Sequence, residues 1–307
     1  MPAVELEDPL DVFSSSLESL FDHVMPARGD PLELFNYFPP ADLPPLECRI
    51  PPQQNNSLFA HHVWNASLIL ADRISTSSIA GLEMRRSPDD VGEVEGEMSV
   101  CELGCGAGIP GLIAARSPAV RHVVLSDYDD PLLIDNLRDN IQLGYKDDER
   151  IRRKLVAIGH TWGEAESLAT ILESNDDARF THILLADTLW LTDAQSALLS
   201  SLTQLLALTP SARVHVVAGF HSGRNAVRGF LRKAAAVGLV RKEEAGKWEE
   251  LAVGGDTRPW GWDLEGEATD ESEWVDEKES NAERGKWVVV GELGWSEEKL
   301  GVEPRAD

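Results

Sequence analysis

Residues 99–108 read SVCELGCGAG, an apolar run that ends in an acid and passes into alternating glycines. This order is typical of a buried strand, a tight turn and the start of a helix. Glycine has no Cβ, so Gly104, Gly106 and Gly108 allow a sharp turn and a close approach of the backbone to a ligand. The free amides at the start of the next helix would face the same ligand. The stretch therefore predicts a nucleotide-like binding loop.

Two classes of cofactor fit this loop. Gly106, Gly108 and Gly111 match the G-x-G-x-x-G spacing of a dinucleotide site. In that fingerprint the first glycine closes the strand, whereas here the strand closes before Gly106 is reached. Glu102 would repel a pyrophosphate but suits the cationic amino end of S-adenosylmethionine. The spacing favours S-adenosylmethionine and leaves a dinucleotide as the alternative.

Strand and helix signals alternate on the carboxyl side of this loop, which is typical of a parallel sheet covered by helices. Beyond the strand at 98–103, strands are predicted at 122–126, 154–158, 181–186 and 213–219, and helices near 108–116, 131–141, 193–208 and 223–237. After Gly238 the alternation stops, and strands predicted at about 239–252 and 286–293 would form an antiparallel end. The residues between them, from 263 to about 285, are crowded with acids and predict a disordered insertion.

The chain before residue 58 shows few regular periods and carries three proline pairs. Proline removes an amide donor and biases its neighbour towards extended structure, so residues 1–57 are predicted to form an arm rather than a domain. The aromatic cluster at residues 35–38 would pack this arm on the body or cap a cleft. A helix over about residues 58–71, with Trp64 on its apolar face, is predicted to follow, and residues 58–307 would form the functional domain.

The charge of the chain limits its partners. There are 53 acidic and 28 basic residues, which gives a formal net charge of −25. Phosphate binding needs a basic footprint, so we expect no nucleic-acid partner, whereas a basic protein would be attracted. The simpler interpretation, that the acids only keep the surface solvated, stays open. No apolar run approaches the roughly 20 residues of a membrane span, so we expect no membrane partner. The acidic start lacks a signal peptide's features, so we expect a cytoplasmic protein. We also expect a monomer.

Cysteine and histidine spacing indicates no metal site. The three cysteines, Cys48, Cys101 and Cys105, form no paired framework of disulfides or zinc ligands. His61 and His62 are adjacent, whereas two zinc ligands on a helix stand four residues apart. We therefore expect no metal and interpret the thiols as small apolar fillers.

Two acids are predicted at the carboxyl ends of parallel strands, where open sheets bind ligands. Asp127 ends the second strand about twenty residues after the glycine turn, the separation at which an acid binds ribose hydroxyls. Its alternative role is to cap the helix that begins near Pro131, although Asp129 and Asp130 are better placed for that. Asp187 ends the fourth strand.

Two tryptophans are predicted beside the same cleft. Trp162 follows the third strand in the sequence HTWG, and its indole would lie against an adenine face. Trp64 would close the cofactor from the other side. Core packing is the alternative for each, because tryptophan buries a large area.

Taken together, these motifs resemble those of the seven-β-strand methyltransferases, and among them the protein lysine methyltransferases with an upstream H-x-x-W helix. The nearer likeness is to the fungal methyltransferases that modify the N-terminus and adjacent lysine of translation elongation factor 1-alpha, formerly described as nicotinamide N-methyltransferases. It is carried by the stretches LFAHHVWNASLILA, ELGCGAGIPGLIAA, LSDYDDPLLIDNLRDNI, HTWG, ADTLW and GFHSGR. The likeness covers residues 30–262 and 286–295.

The resemblance implies an α/β, Rossmann-like sheet of seven mostly parallel strands in the order 3-2-1-4-5-7-6, with helices on both faces and an antiparallel C-terminal hairpin. It implies S-adenosylmethionine as the methyl donor, contacted by Trp64, Gly104, Cys105, Gly106, Asp127, Trp162 and Ala186. Many relatives carry an acid-x-x-Tyr motif after the fourth strand, whereas here Asp187 is followed at that spacing by Trp190. This part of the acceptor channel therefore departs from the motif of those relatives.

The implied reaction is an in-line displacement on a methyl group that is already activated. The main tasks of the protein are then alignment and exclusion of water. We expect Asp187 to orient the acceptor amine and Trp190 to wall the channel, where its π face attracts a cation. The expected acceptor and partner is elongation factor 1-alpha. Two alternatives stay open, an N-methyltransferase of a small molecule such as nicotinamide and a nucleotide-binding oxidoreductase.

Overall fold

The computed structural model describes residues 27–53, 59–84, 96–242, 248–252, 255–260, 280 and 284–301. Its strands are β1 (Ala27–Arg28), β2 (Leu34–Tyr37), β3 (Leu46–Arg49), β4 (Val63–Trp64), β5 (Met98–Leu103), β6 (Val120–Asp127), β7 (Leu155–Gly159), β8 (His182–Ala186), β9 (Arg213–Gly219), β10 (Leu239–Arg241), β11 (Glu249–Ala252), β12 (Thr257–Pro259) and β13 (Trp287–Trp295). Its helices are α1 (Asn65–Ser75), α2 (Ile109–Ala114), α3 (Pro131–Gly144), α4 (Glu149–Arg152), α5 (Ala165–Glu173), α6 (Gln195–Leu205), α7 (Arg224–Ala236) and α8 (Glu297–Leu300). Within these ranges, no helix has the length and apolarity needed to cross a bilayer.

Strands β5 to β13 form one sheet. Its order is β12-β11-β13-β9-β8-β5-β6-β7, and β10 also pairs with β13. The strands from β7 across to β9 are parallel to their neighbours, whereas β13 runs antiparallel to β9. The mostly parallel sheet with helices that the sequence predicts is therefore confirmed.

Alternate side chains of the central strands face two separate apolar clusters. Val123 and Leu125 of β6 pack with residues of α1, α2 and α3, while Val124 between them packs with residues of α5, α6 and α7. The neighbouring strand β5 divides in the same way, with Val100 on the first face and Cys101 on the second. Helices thus cover both faces, which explains why consecutive residues in the middle of these strands are apolar rather than alternating with polar ones.

The antiparallel end of the sheet differs from the seven-stranded expectation, because the sheet has nine strands among the described residues. The strand predicted at about 239–252 is in fact two strands. Strand β13 is nine residues long, so it offers too little edge for one continuous partner of that length. Instead β10 pairs with its last residues and β11 with its first ones, and β12 adds an outer strand. The acidic insertion predicted at 263–285 falls almost wholly outside the described residues.

The described part of the predicted arm, residues 27–53, packs on the body through β3. Leu46 and Cys48 have no exposed surface. The Asn140 side chain of α3 accepts a hydrogen bond from the Arg49 amide at 2.6 Å and donates one to the Arg49 carbonyl at 2.9 Å. A buried amide side chain that satisfies both backbone groups of one residue fixes the position of β3 on α3. The short strand β1 pairs with β4, which leads directly into α1.

Candidate functional site

A cavity of about 240 Å³ lies at the carboxyl ends of the parallel strands. Nine of the ten predicted site residues line it: Trp64, Gly104, Cys105, Gly106, Asp127, Trp162, Ala186, Asp187 and Trp190. They come from the ends of β5, β6 and β8, from the turn after β7 and from the start of α1. The parallel arrangement is what collects them, because it sends every strand's carboxyl end to the same edge.

The glycine turn is tied to Asp127. The Asp127 carboxylate accepts hydrogen bonds from the amides of Gly106 at 2.6 Å and of Tyr128 at 2.7 Å. Burial raises the pKa of Asp127, and these two amide hydrogen bonds partly oppose that rise. Helix α3 is capped instead by Asp130, whose carboxylate accepts from two amides of its first turn. The interpretation of Asp127 as that helix's cap is therefore wrong, and its role towards a ribose stays a prediction.

Glu102 is the predicted site residue that does not line this cavity. It is fully buried, and its Oε2 accepts a hydrogen bond from the Gly111 amide at 2.7 Å. Burial raises the pKa of Glu102 to about 8; the Gly111 hydrogen bond opposes the rise and the charge of Asp127 adds to it. Through this hydrogen bond the Glu102 carboxyl fixes the first turn of α2. Its role towards a ligand's amino group stays a prediction.

The glycine turn is also packed tightly against side chains of the cavity. Gly104 has a φ of 67°, in the left-handed region that favours glycine. A Cβ at this position would lie 2.9 Å from Cγ2 of Thr188 and 3.2 Å from the ring of Trp162. The missing side chain therefore lets the indole of Trp162 lie directly on the turn. Cys105 beside it is buried, and burial raises the pKa of its thiol well above the ordinary value.

Aromatic side chains form the opposite wall. The indole N–H of Trp64 donates a hydrogen bond to the Phe59 carbonyl at 3.0 Å. The Phe59 ring stands edge-on to Trp190, with 5.5 Å between ring centroids. Phe59 has a φ of 51°, which is uncommon for a bulky residue and indicates a conformation held by its surroundings. The three rings make a continuous apolar wall that would keep water from a ligand.

Asp187 is held at the end of β8 by the last residue of β9 and by a histidine in the turn that follows it. Its Oδ1 accepts from the Gly219 amide at 2.9 Å, and its Oδ2 lies 2.9 Å from Nε2 of His221. Asp187 has a φ of 56°, so it is a second non-glycine residue of the cavity in the left-handed region. The structure therefore brings Asp187 to the cavity together with a histidine to which the sequence analysis assigned no role.

The residues near the cavity that sequence reasoning missed include His221 and Phe59. His221 follows the fifth parallel strand, at the edge where ligands bind, so its place in GFHSGR was the available signal. Phe59 lies five residues before Trp64, within the stretch 58–71 for which the sequence predicts a helix, whereas the structure begins α1 only at Asn65. No periodic pattern marks Phe59, because its contact depends on an irregular loop rather than on a helix face.

Three comparisons relate the chain to known proteins. A family model described as "Lysine methyltransferase" matches residues 44–236. The protein N-terminal and lysine N-methyltransferase efm7 of Schizosaccharomyces pombe is 32% identical over 178 residues, which are 58% of this chain and 62% of that protein. The efm7 protein of Neurospora crassa is 28% identical over 218 residues, 69% of this chain and 66% of its own length. The matched region thus spans less than two thirds of either relative.

Among solved structures, the SAM-dependent methyltransferase from Agrobacterium tumefaciens aligns with a TM-score of 0.42 at 15% identity. The alignment covers 85% of this chain and 68% of that one. A likeness of this degree is remote.

Proposed function

This chain belongs to the lysine methyltransferase family, and from that premise we propose that it transfers methyl groups from S-adenosylmethionine to amines of a protein. One observation carries the proposal. The cavity at the carboxyl edge joins two sets of side chains, Asp127 and Trp162 beside the glycine turn and Asp187 with Trp190 on the other side. A cofactor and an acceptor can therefore meet there, away from bulk water.

The residues of the turn suit the proposed cofactor. The Asp127 carboxylate has lone pairs left after its two amide hydrogen bonds and would accept from the ribose hydroxyls. The absence of a Cβ at Gly104 lets Thr188 and Trp162 pack directly on the turn, which holds the Trp162 indole at the cavity. Trp162 would pack on the adenine and Trp64 would close the site, with backbone contacts from Cys105, Gly106 and Ala186. When bound, S-adenosylmethionine supplies a methyl group activated on a sulfonium sulfur.

The acceptor side must present a neutral amine, because a protonated amine has no lone pair for the methyl carbon. An α-amine has an ordinary pKa near 8 and a lysine near 10.4, so an N-terminus reaches the neutral form more readily at neutral pH. Asp187 would orient the N–H groups of this amine. Trp190 would wall the channel and attract the cationic product through its π face.

As acceptor we propose the N-terminal glycine and adjacent lysine of translation elongation factor 1-alpha, methylated by a monomeric enzyme in the cytoplasm. The named relatives are N-terminal and lysine N-methyltransferases, and the net charge of −25 suits a basic partner. The sheet order also supports the proposal. From β7 to β11 it corresponds to 3-2-1-4-5-7-6 when β11 is counted as the sixth strand.

Transfer of label tests the function. Purified protein is incubated with methyl-labelled S-adenosylmethionine and a lysate of cells that lack it, and we expect label in one protein of the size of elongation factor 1-alpha. Mass spectrometry of that protein should place the methyl groups at its N-terminal residues. Label in nicotinamide or another small amine would contradict the protein acceptor, and absence of label from both fractions would contradict methyl transfer.

Gly104→Ala should weaken cofactor binding by about tenfold or more, because alanine is strained at positive φ and its methyl group would crowd Thr188 and Trp162. Calorimetric titration with S-adenosylmethionine measures the effect. Gly301→Ala is the matched control, since Gly301 has a φ of 69° with no atom within 4 Å of a new Cβ. Equal affinities in the two variants would show that the turn does not contact the cofactor.

A further inference from the structure

The turn after β9 places a histidine behind the proposed acceptor side. Nε2 of His221 lies 2.9 Å from Oδ2 of Asp187, and the two side chains are 19% and 6% exposed. The Asp187 amide donates to the Val217 carbonyl at 2.8 Å, and its Oδ1 accepts from the Gly219 amide. Backbone and side chain of Asp187 are therefore both fixed, which leaves His221 as the partner whose charge can vary.

The charge of His221 is set by this pairing. Burial lowers the pKa of His221, but the negative charge of Asp187 and the hydrogen bond to it raise the pKa more, so the net value lies above the ordinary one. Arg284 is the other charged group of the described residues that acts on the ring, and it opposes the rise. A larger share of His221 is thus protonated at neutral pH than of an ordinary histidine, and the carboxylate is neutralised to that extent.

The same turn braces the aromatic wall. The His221 ring lies edge-on to Trp64, with 4.8 Å between centroids. The next residue, Ser222, donates its hydroxyl to the Trp190 carbonyl at 2.9 Å. One two-residue turn therefore contacts Asp187 and Trp190, which are proposed for the acceptor side, and Trp64, which is proposed to close the cofactor site.

We propose that His221 is a positioning residue that neutralises Asp187, so that this carboxylate orients the acceptor amine without holding it in the protonated form. The proposal rests on the proposed function. Asp187 lines the cavity and keeps free lone pairs, so it can accept an N–H of the amine. An unpaired buried carboxylate in hydrogen-bond contact with the amine would raise the pKa of the amine by about 1–3 units. The amine would then be protonated at neutral pH and would have no lone pair for the methyl group. With His221 charged, the pair carries no net charge and this penalty is avoided.

Removal of the positive charge of His221 should therefore shift the dependence of kcat on pH rather than lower kcat equally at all pH values. In His221→Gln the amide can still hydrogen-bond to Asp187, but the positive charge is lost. We expect the acid limb of the kcat profile to move upward by about one to two pH units, with activity recovered near pH 9. His221→Lys restores a charge and should return the limb towards its original position. Ser222→Ala alters the same turn without altering charge and should leave the limb in place.

A binding measurement separates this proposal from the proposed function. Calorimetry with S-adenosylhomocysteine and an N-terminal peptide of elongation factor 1-alpha needs no methyl transfer. At neutral pH the peptide should bind His221→Gln at least threefold more tightly than the parent protein, because its ammonium group meets an uncompensated carboxylate. The acetylated peptide should show no such gain.

Two results would overturn the positioning role. One is a uniform loss of kcat at all pH values in His221→Gln that His221→Lys does not rescue, and the other is an unchanged limb together with unchanged peptide affinity. Binding of the peptide without methyl transfer by the parent protein would count against the proposed function alone. The melting temperature of each variant is measured alongside, so that unfolding is recognised.

Discussion

Asp127→Ala is expected to fold and to lose most of its affinity for S-adenosylmethionine. Each hydrogen bond to a charged group contributes about 1.5 kcal/mol or more, so loss of a bidentate ribose contact costs roughly 2–4 kcal/mol. This corresponds to roughly a 30- to 1000-fold rise in Kd. The carboxylate also satisfies the amides of Gly106 and Tyr128, so part of the loss would come from a loosened glycine turn. Calorimetric titration measures the affinity.

Two variants control this experiment. Asp127→Asn keeps one acceptor oxygen, so its affinity for S-adenosylmethionine should lie between that of the parent protein and that of Asp127→Ala. Asp129→Asn removes the charge of an exposed neighbouring acid and should leave the affinity unchanged. Undiminished affinity of Asp127→Ala would exclude Asp127 from the cofactor site and would weaken the placement of the whole cofactor.

Arg224→Met is expected to lower the free energy of unfolding by about 3 kcal/mol, since it removes one partner of a buried ion pair. The guanidinium of Arg224 donates to both carboxylate oxygens of Glu250, at 2.8 and 2.9 Å, and the side chains are 1% and 4% exposed. The half-buried Arg258 also pairs with Glu250, so the carboxylate keeps one partner and the loss lies at the lower end of the range for such pairs. Urea denaturation measures the change.

A surface pair provides the matched control. Arg153 pairs with Glu149 through two donor nitrogens, but the side chains are 77% and 60% exposed. Solvent screens this pair, so Arg153→Met should change stability by less than about 0.5 kcal/mol. Similar losses in Arg224→Met and Arg153→Met would contradict the role given to the buried pair. Replacing Arg224 and Glu250 together by methionine should recover part of the loss, because no buried carboxylate is then left short of a partner.

The central sheet could be predicted from sequence because each strand is a local apolar run with a turn residue at its end. The positions of Asp127, Trp162 and Asp187 could be predicted for the same reason. A residue at or shortly after the end of a parallel strand must lie at the carboxyl edge of the sheet. The confirmed parts of the fold are thus those in which position along the chain determines position in space.

The remaining features depend on contacts between distant segments. Glu102 lies one residue before the end of β5, yet its carboxyl accepts a hydrogen bond from the Gly111 amide of α2 and does not line the cavity. The division of the predicted strand at 239–252 depends on β13, which lies far along the chain. His221 is placed at the site by its contact with Asp187, and Phe59 by its contact with Trp190. The hydrophobic pattern of one segment does not predict its contacts with distant segments.

The position of β13 also bears on the order in which the chain is synthesised. This strand pairs with β9 along one edge, although residues 220–286 separate the two strands in sequence. During translation the amino-terminal part emerges first, so the free edge of β9 stays exposed until Trp295 has left the ribosome. An unpaired edge of Val214, Val216 and their neighbours is a template for wrong strand pairing. Chaperone demand during synthesis should therefore be greatest between the emergence of β9 and that of β13.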